Sequence, residues 1–159
     1  MRKVNFNYLI FLFSILTFIG GILEISYVII FKNRFSVGGF FHAPIRPIYG
    51  FGGLLLYLLP KKLKSNNILL FISSFIVCTI FEYLSSFLIE IIFDKVLWNY
   101  SKFAFNINGR ICLQHSIIWG FLGVIFYHFI EPFIFKLYNI NISDKLSFRS
   151  RKNIWKNVY

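Results

Sequence analysis

Two glutamates lie inside long apolar stretches of this sequence. Glu24 falls within the apolar run from Tyr8 to Phe31, and Glu82 falls within the run from Ile68 to Phe93. A carboxylate among apolar residues in lipid is costly unless it faces a partner, so each glutamate indicates a polar contact, a proton site or a substrate site. We expect Glu24 about two helical turns, and Glu82 about three turns, from the outer ends of their helices.

The basic residues that suit these carboxylates are Arg46 and Arg110, each at the start of an apolar stretch. We expect one of them to form an ion pair with Glu24, either to bind substrate or only to hold helices together. His115, one turn inside the last apolar stretch, is a candidate proton relay or substrate ligand, or a hydrogen-bonding residue between helices. Metal-ligand spacings such as H-E-x-x-H are absent, so we predict no metal site.

Polar and aromatic residues are mixed in two segments outside the long apolar runs. The segment 38–53 combines prolines with glycines, and the segment 97–113 places asparagines beside aromatic rings. The amides and Arg110 offer donors to a polar or anionic ligand, whereas Trp98 also suits a membrane interface. The candidate substrate-binding residues are Glu24, Arg46, Tyr49, Glu82, Trp98, Asn99, Asn106, Asn108, Arg110 and His115; no residue is predicted to be catalytic.

The elements that must position these residues are membrane helices. Of the 159 residues, 57% are hydrophobic and only 14% are charged, with a mean hydropathy of +0.68. Soluble domains carry about 25% charged residues, so lipid is the expected solvent. We predict an all-α, polytopic integral membrane protein with about four transmembrane helices in a single domain over 1–135. The predicted spans are 8–31, 45–59, 68–93 and 111–135, followed by a basic tail over 136–159.

The second predicted span is shorter than the others and rich in glycine. It lies between Pro44 and Pro60, and it is either a short or tilted span or a re-entrant element. If it spans, both chain ends and the loop 61–67 share one side, which then holds eleven of the 17 lysines and arginines. The positive-inside rule then predicts a cell-membrane protein with both termini in the cytoplasm. If the segment is re-entrant, this assignment fails.

Small and polar residues recur at helical spacing around the glutamates. On the third apolar stretch they are Ser74, Cys78, Glu82, Ser86 and Glu90. Residues three or four apart share a helix face, and small-residue faces are where membrane helices approach one another. We therefore expect this face to pack inside the bundle.

The formal net charge of +11 does not indicate a nucleic-acid partner. The basic residues sit at the ends of apolar runs, as membrane-flanking residues do, and form no stripe or groove. Cys78 and Cys112 both fall in apolar stretches, so we predict neither a disulfide nor a metal site from them. The N-terminal apolar run extends to Phe31, beyond a signal-peptide core, and we interpret it as a retained helix.

Three motifs carry a family resemblance: P-I-R-P-I-Y-G-F-G over 44–52, W-N-Y-S over 98–101 and F-N-I-N-G-R-I-C-L over 105–113. With Glu24 at the position of a first-helix glutamate, the sequence resembles the CmpB-like ABC-transporter type IV family from about Gly20 to Pro132. It departs from the family pattern at Ala43, where a glycine is usual, and at Asn99, where an aspartate is usual.

The resemblance implies a permease component of a transporter whose substrate is unknown. The chain has no G-x-x-x-x-G-K-[ST] phosphate loop and no cofactor motif, so ATP would act only through a separate ATPase subunit. Four helices are few for a translocation pathway, which implies a homo-oligomer or a partner. The alternatives are an intramembrane enzyme that acts on a lipid or small polar substrate with a glutamate as acid or base, and a membrane scaffold or accessory subunit. We assign no enzymatic activity.

Overall fold

The computed structural model describes residues 5–32 and 44–140, and most of these residues are helical. The helices are α1 (Phe6–Lys32), α2 (Pro47–Leu58), α3 (Asn67–Phe93) and α4 (Leu113–Ile140). A 3-10 helix, Lys61–Lys64, links α2 to α3, and a two-stranded hairpin, β1 (Asn106–Ile107) and β2 (Ile111–Cys112), precedes α4. The predicted all-α membrane class is confirmed, because α1, α3 and α4 are long and apolar enough to cross a bilayer.

Helix α4 is not uniform along its length. It is α-helical over Leu113–Ile125, forms one π-helical turn over Phe126–Ile130, and is α-helical again over 131–140. The helix thus continues beyond residue 135, where the predicted span ends. The predicted tail otherwise lies outside the described residues, as do residues 38–43, which include Ala43.

Helix α2 is shorter than a bilayer core. Its 12 residues extend about 18 Å, whereas the hydrocarbon core is about 30 Å thick. Pro47 begins the helix, and the preceding Arg46 donates its backbone N–H to the carbonyl of Thr17, 3.1 Å away, halfway along α1. Gly21 permits this approach, because a Cβ there would collide with the Pro44 carbonyl. Helix α2 therefore begins inside the bundle.

From that point α2 runs antiparallel to α1, back toward the start of α1. Near the end of this path, the ring of Tyr57 lies 5.5 Å from that of Tyr8, between ring centroids. Tyr8 also packs edge-on against Phe135 and Tyr138 of α4. The start of α1, the end of α2 and the end of α4 therefore meet at one end of the bundle, which we call the Tyr8 end. We call the opposite end, where β1 and β2 lie, the hairpin end.

The interior of the bundle changes character along its length. Toward the Tyr8 end the buried core is apolar and consists of Tyr8, Leu12, Leu16, Leu56, Leu59, Leu70, Phe126, Ile134 and Tyr138. Toward the hairpin end the buried residues of α3 are small or polar, namely Ser74, Cys78, Glu82 and Ser86. Large apolar side chains are exposed around the outside, as expected for a surface that lipid covers.

Small residues bring α3 and α4 together beside this polar face. A Cβ at Gly120 would meet the ring of Phe71, and one at Gly123 would meet the side chain of Ser74. The expected packing of the α3 polar face inside the bundle is confirmed for Ser74, Cys78, Glu82 and Ser86, which are all buried. Glu90, the last residue of that face, is not buried, and its side chain is 41% exposed.

Candidate functional site

Glu82 lies at the centre of the polar half of the bundle and is only 4% exposed. One carboxylate oxygen, Oε1, accepts a hydrogen bond of 3.0 Å from the hydroxyl of Tyr100. The other, Oε2, accepts one of 3.0 Å from the indole N–H of Trp119. Both donors are neutral, and no lysine or arginine of residues 5–32 and 44–140 forms an ion pair with Glu82.

The loop before α4 positions the hydroxyl of Tyr100. The backbone N–H of Tyr100 donates to the carbonyl of Gly109, 2.7 Å away. Gly109 has a φ of +67°, and a Cβ there would also meet the side chains of Asn99 and Ser101. Because a left-handed backbone in a crowded position suits only glycine, Gly109 fixes the path that brings Tyr100 to Glu82.

His115 supports Tyr100 from the first turn of α4. Their rings stack with centroids 4.2 Å apart, and Phe103 packs edge-on against the imidazole at 5.3 Å. The Nδ1 atom of His115 lies 3.1 Å from the thiol of Cys112, the buried residue that precedes the helix. His115 therefore touches the site through the ring of Tyr100.

Burial raises the pKa of the Tyr100 hydroxyl above its ordinary value of 10, and the nearby Glu82 carboxylate raises it further. Ionised tyrosine would place a second negative charge beside Glu82 in a partly dehydrated setting. Tyr100 thus remains a hydrogen-bond donor at any physiological pH.

Arg46 forms the expected ion pair with Glu24. Its Nε lies 3.0 Å from Glu24 Oε1, and Arg46 is 7% exposed whereas the Glu24 side chain is 39% exposed. On the first turn of α2, the ring of Tyr49 lies 6.3 Å from that of Trp119, between centroids. Tyr49 thus connects the Arg46–Glu24 pair to the surroundings of Glu82.

Arg110 pairs with a different glutamate. Its Nη2 atom lies 2.6 Å from Glu90 Oε2, and its Nη1 atom donates to the hydroxyl of Ser86 at 3.2 Å. Trp98 holds the backbone in place, because its indole N–H donates to the Arg110 carbonyl at 3.0 Å. Of the two arginines considered for Glu24, the structure thus selects Arg46 and ties Arg110 to α3.

The three candidate asparagines shape the loop. Asn99 Oδ1 accepts hydrogen bonds from the backbone and hydroxyl of Ser101. Asn106 donates to the carbonyl of Phe103 at 2.9 Å and accepts from the backbone of Gly109 at 3.1 Å. Asn108 instead reaches α3, where it donates to the hydroxyl of Tyr83 at 3.1 Å. None of the three contacts Glu82.

Sequence reasoning overlooked two important residues. Trp119 lies inside an apolar run, although its spacing of three from the small residue Ser116 places it on the inward face. Glu131 is a carboxylate in the last apolar stretch. Like Glu24, it is costly in lipid unless it faces a partner. Its Oε1 accepts a hydrogen bond of 3.0 Å from the hydroxyl of Tyr8 at the other end of the bundle.

Within the described ranges, no group of three or more His, Cys, Asp and Glu side chains is arranged to hold a metal ion. The thiols of Cys78 and Cys112 are both free and buried. The polar half of the bundle thus offers one carboxylate held by neutral donors, flanked by two ion pairs.

Comparisons with curated proteins and with solved structures gave no match. A comparison with protein families matched residues 11–149 to the family described as "Putative ABC-transporter type IV". The match begins five residues into α1 and covers the rest of the four helices, both ion pairs and Glu82 with its donors. By this match the chain belongs to that family of ABC-transporter type IV proteins.

Proposed function

We propose that this chain is the membrane-embedded permease component of an ATP-driven transporter. The observation that carries the proposal is Glu82, a buried carboxylate inside a membrane-spanning helix. Tyr100 and Trp119 hold it, and no lysine or arginine of the described ranges forms an ion pair with it. Helix packing does not require a carboxylate at such a position, and an ionisable group within the membrane commonly marks a substrate or ion pathway. The family membership supports the same role.

The substrate pathway follows the polar half of the bundle from the hairpin end to Glu82. The Arg46–Glu24 and Arg110–Glu90 pairs flank this pathway and hold α2 and the loop against α1 and α3. Beyond Glu82, the apolar cluster at the Tyr8 end closes the bundle to polar solutes. In this proposal the permease opens to one side at a time.

The Tyr8 end faces the cytoplasm in this proposal. Lys61 and Lys62 are exposed between α2 and α3, and Lys136 is exposed near the end of α4. Lysines at the ends of membrane helices favour the cytoplasmic side. A separate ATPase subunit then docks at this end, and the substrate site faces the outside.

Purification of the tagged protein from its own membranes in mild detergent tests the proposal, with mass spectrometry of the proteins that co-purify. We expect a stoichiometric ATPase subunit with the wild type and equally with Glu82→Gln, because residue 82 is distant from the proposed docking end. Recovery of the chain alone, or only as a homo-oligomer, would contradict the role of an ABC permease component.

A further inference from the structure

We propose that the ligand at Glu82 is a small organic cation of the ammonium type. The inference rests on the proposed function and adds the chemical class of the substrate. It starts from the balance of charges in the polar half of the bundle, where α1 and α3 contribute three glutamates and, among residues 5–32 and 44–140, two arginines pair with them.

Both of these arginines already form ion pairs with glutamates. Arg46 lies 3.0 Å from Glu24, and Arg110 lies 2.6 Å from Glu90. Glu82 is the remaining carboxylate, and it is the most buried of the three. In a membrane interior, an uncompensated carboxylate is stabilised by any cation that can reach it, because the local dielectric is low. The charge balance therefore selects a positive ligand.

The carboxylate retains capacity to bind such a ligand. Two carboxylate oxygens offer about four acceptor sites, and the donors from Tyr100 and Trp119 fill one on each oxygen. An ammonium N–H or a polarised N-methyl group can take a remaining site. Neither donor needs to be displaced.

Aromatic rings surround the same carboxylate. Tyr100 and Trp119 each direct a polar hydrogen at Glu82, so both rings lie next to the carboxylate, and a ligand bound there would meet them. Tyr49 adds a third ring near Trp119, and His115 backs the ring of Tyr100. Ring faces beside a carboxylate are the chemistry that recognises quaternary and substituted ammonium ions, through cation–π attraction together with charge. An inorganic cation would gain much less from the rings.

Tetramethylammonium chloride is the probe for the test, and sodium chloride at the same ionic strength is the reference. The full-length protein in lipid nanodiscs is titrated while its thermal unfolding midpoint is recorded. We expect a saturable rise in Tm with tetramethylammonium alone, and at least a tenfold higher apparent Kd in Glu82→Gln. Glu131→Gln, which changes a carboxylate at the opposite end, should bind as the wild type does.

Two substitutions of Trp119 keep the test decisive if Glu82→Gln fails to fold. Trp119→Phe retains a ring and should bind within a few-fold of the wild type, whereas Trp119→Leu should bind at least tenfold more weakly. Absence of a saturable response in the wild type, or an equal response to sodium, would overturn the ammonium ligand. An unchanged Kd in a folded Glu82→Gln would overturn the site.

The outcome is separable from that of the proposed function. If an ATPase subunit co-purifies but tetramethylammonium does not bind, the permease role stands and the substrate class is wrong. If tetramethylammonium binds with no ATPase subunit present, the site stands and the chain carries cations without an ABC motor.

Discussion

The indole N–H of Trp119 donates to Glu82 Oε2 across 37 residues of sequence, and this bond joins α4 to α3 in the interior of the bundle. The hydroxyl of Tyr100 joins the loop to the same carboxylate through Oε1. Three segments distant in sequence therefore converge on one side chain. The packing of the loop and of both helices should depend on Glu82 and its two donors.

Removing either donor should destabilise the protein, and the two effects should not add. Tyr100→Phe or Trp119→Phe leaves one oxygen of a buried carboxylate without its donor, at a cost of about 1–3 kcal/mol. Both bonds end on Glu82. When Tyr100→Phe and Trp119→Phe are made together in a Glu82→Gln protein, the free energy of unfolding should therefore fall much less than when they are made in the wild type. Chemical unfolding in detergent, arranged as a double-mutant cycle, measures this coupling. Strictly additive losses would show that the two donors act independently.

The raised pKa of Tyr100 predicts a loss of stability at high pH. Above about pH 10 a tyrosine in the unfolded chain ionises, whereas the buried hydroxyl beside Glu82 keeps its proton in the folded protein. The folded state then binds more protons, so stability falls as the pH rises from 10 toward the folded pKa. The free energy of unfolding, measured between pH 9 and 11, should fall less steeply in Tyr100→Phe. Parallel profiles for the two proteins would refute this assignment.

The close approach of α3 and α4 predicts opposite effects at two glycines. Gly123→Ala should destabilise the bundle by about 1–3 kcal/mol, because any Cβ there meets the side chain of Ser74. Gly52→Ala is the matched control, since a Cβ there meets nothing within 4 Å. It should be neutral or stabilise α2 by up to about 1 kcal/mol, the helix preference of alanine over glycine. Equal Tm values for the two variants would contradict the packing.

The two ion pairs should respond differently to loss of their carboxylates. Glu24→Gln leaves the buried guanidinium of Arg46 without a counter-charge, so we expect a loss well above the ~1 kcal/mol of an exposed pair. Glu90→Gln should cost less, because Arg110 also donates to Ser86 and lies over the ring of Phe87. The unfolding midpoints of both variants, compared with that of the wild type, show which ion pair contributes more to stability. A larger loss from Glu90→Gln would reverse this ordering.

The sequence predicted those features of the structure that depend on the cost of placing a charge in lipid. Glu24 and Glu82 stood out because a carboxylate in an apolar run is costly in lipid. An ion pair of Glu24 with either Arg46 or Arg110 was expected because each arginine begins an apolar stretch, and the structure shows the pair with Arg46. The membrane fold followed from the same reasoning, since length and apolar content alone predict the three long helices.

The donors to Glu82 could not be predicted in this way. Tyr100 and Trp119 are neutral aromatic residues that suit a membrane interface or a lipid-facing surface equally well, so their types carry no sign of a buried partner. Tyr100 reaches its position through the left-handed turn at Gly109, a long-range result of loop geometry. The hydrogen bonds by which Asn99 and Asn106 shape the loop depend on the same turn geometry.

The π-helical turn in α4 determines which neighbours that helix can have. A single π turn adds about one residue to an α-helix, which rotates everything after it by about 100°. Before the turn, Gly120 and Gly123 contact α3; after it, Glu131 contacts Tyr8 of α1. The same helix therefore packs against α3 before the turn and against α1 after it. A single-residue deletion within the turn would rotate the later part of α4 away from α1 and leave its packing against α3 in place.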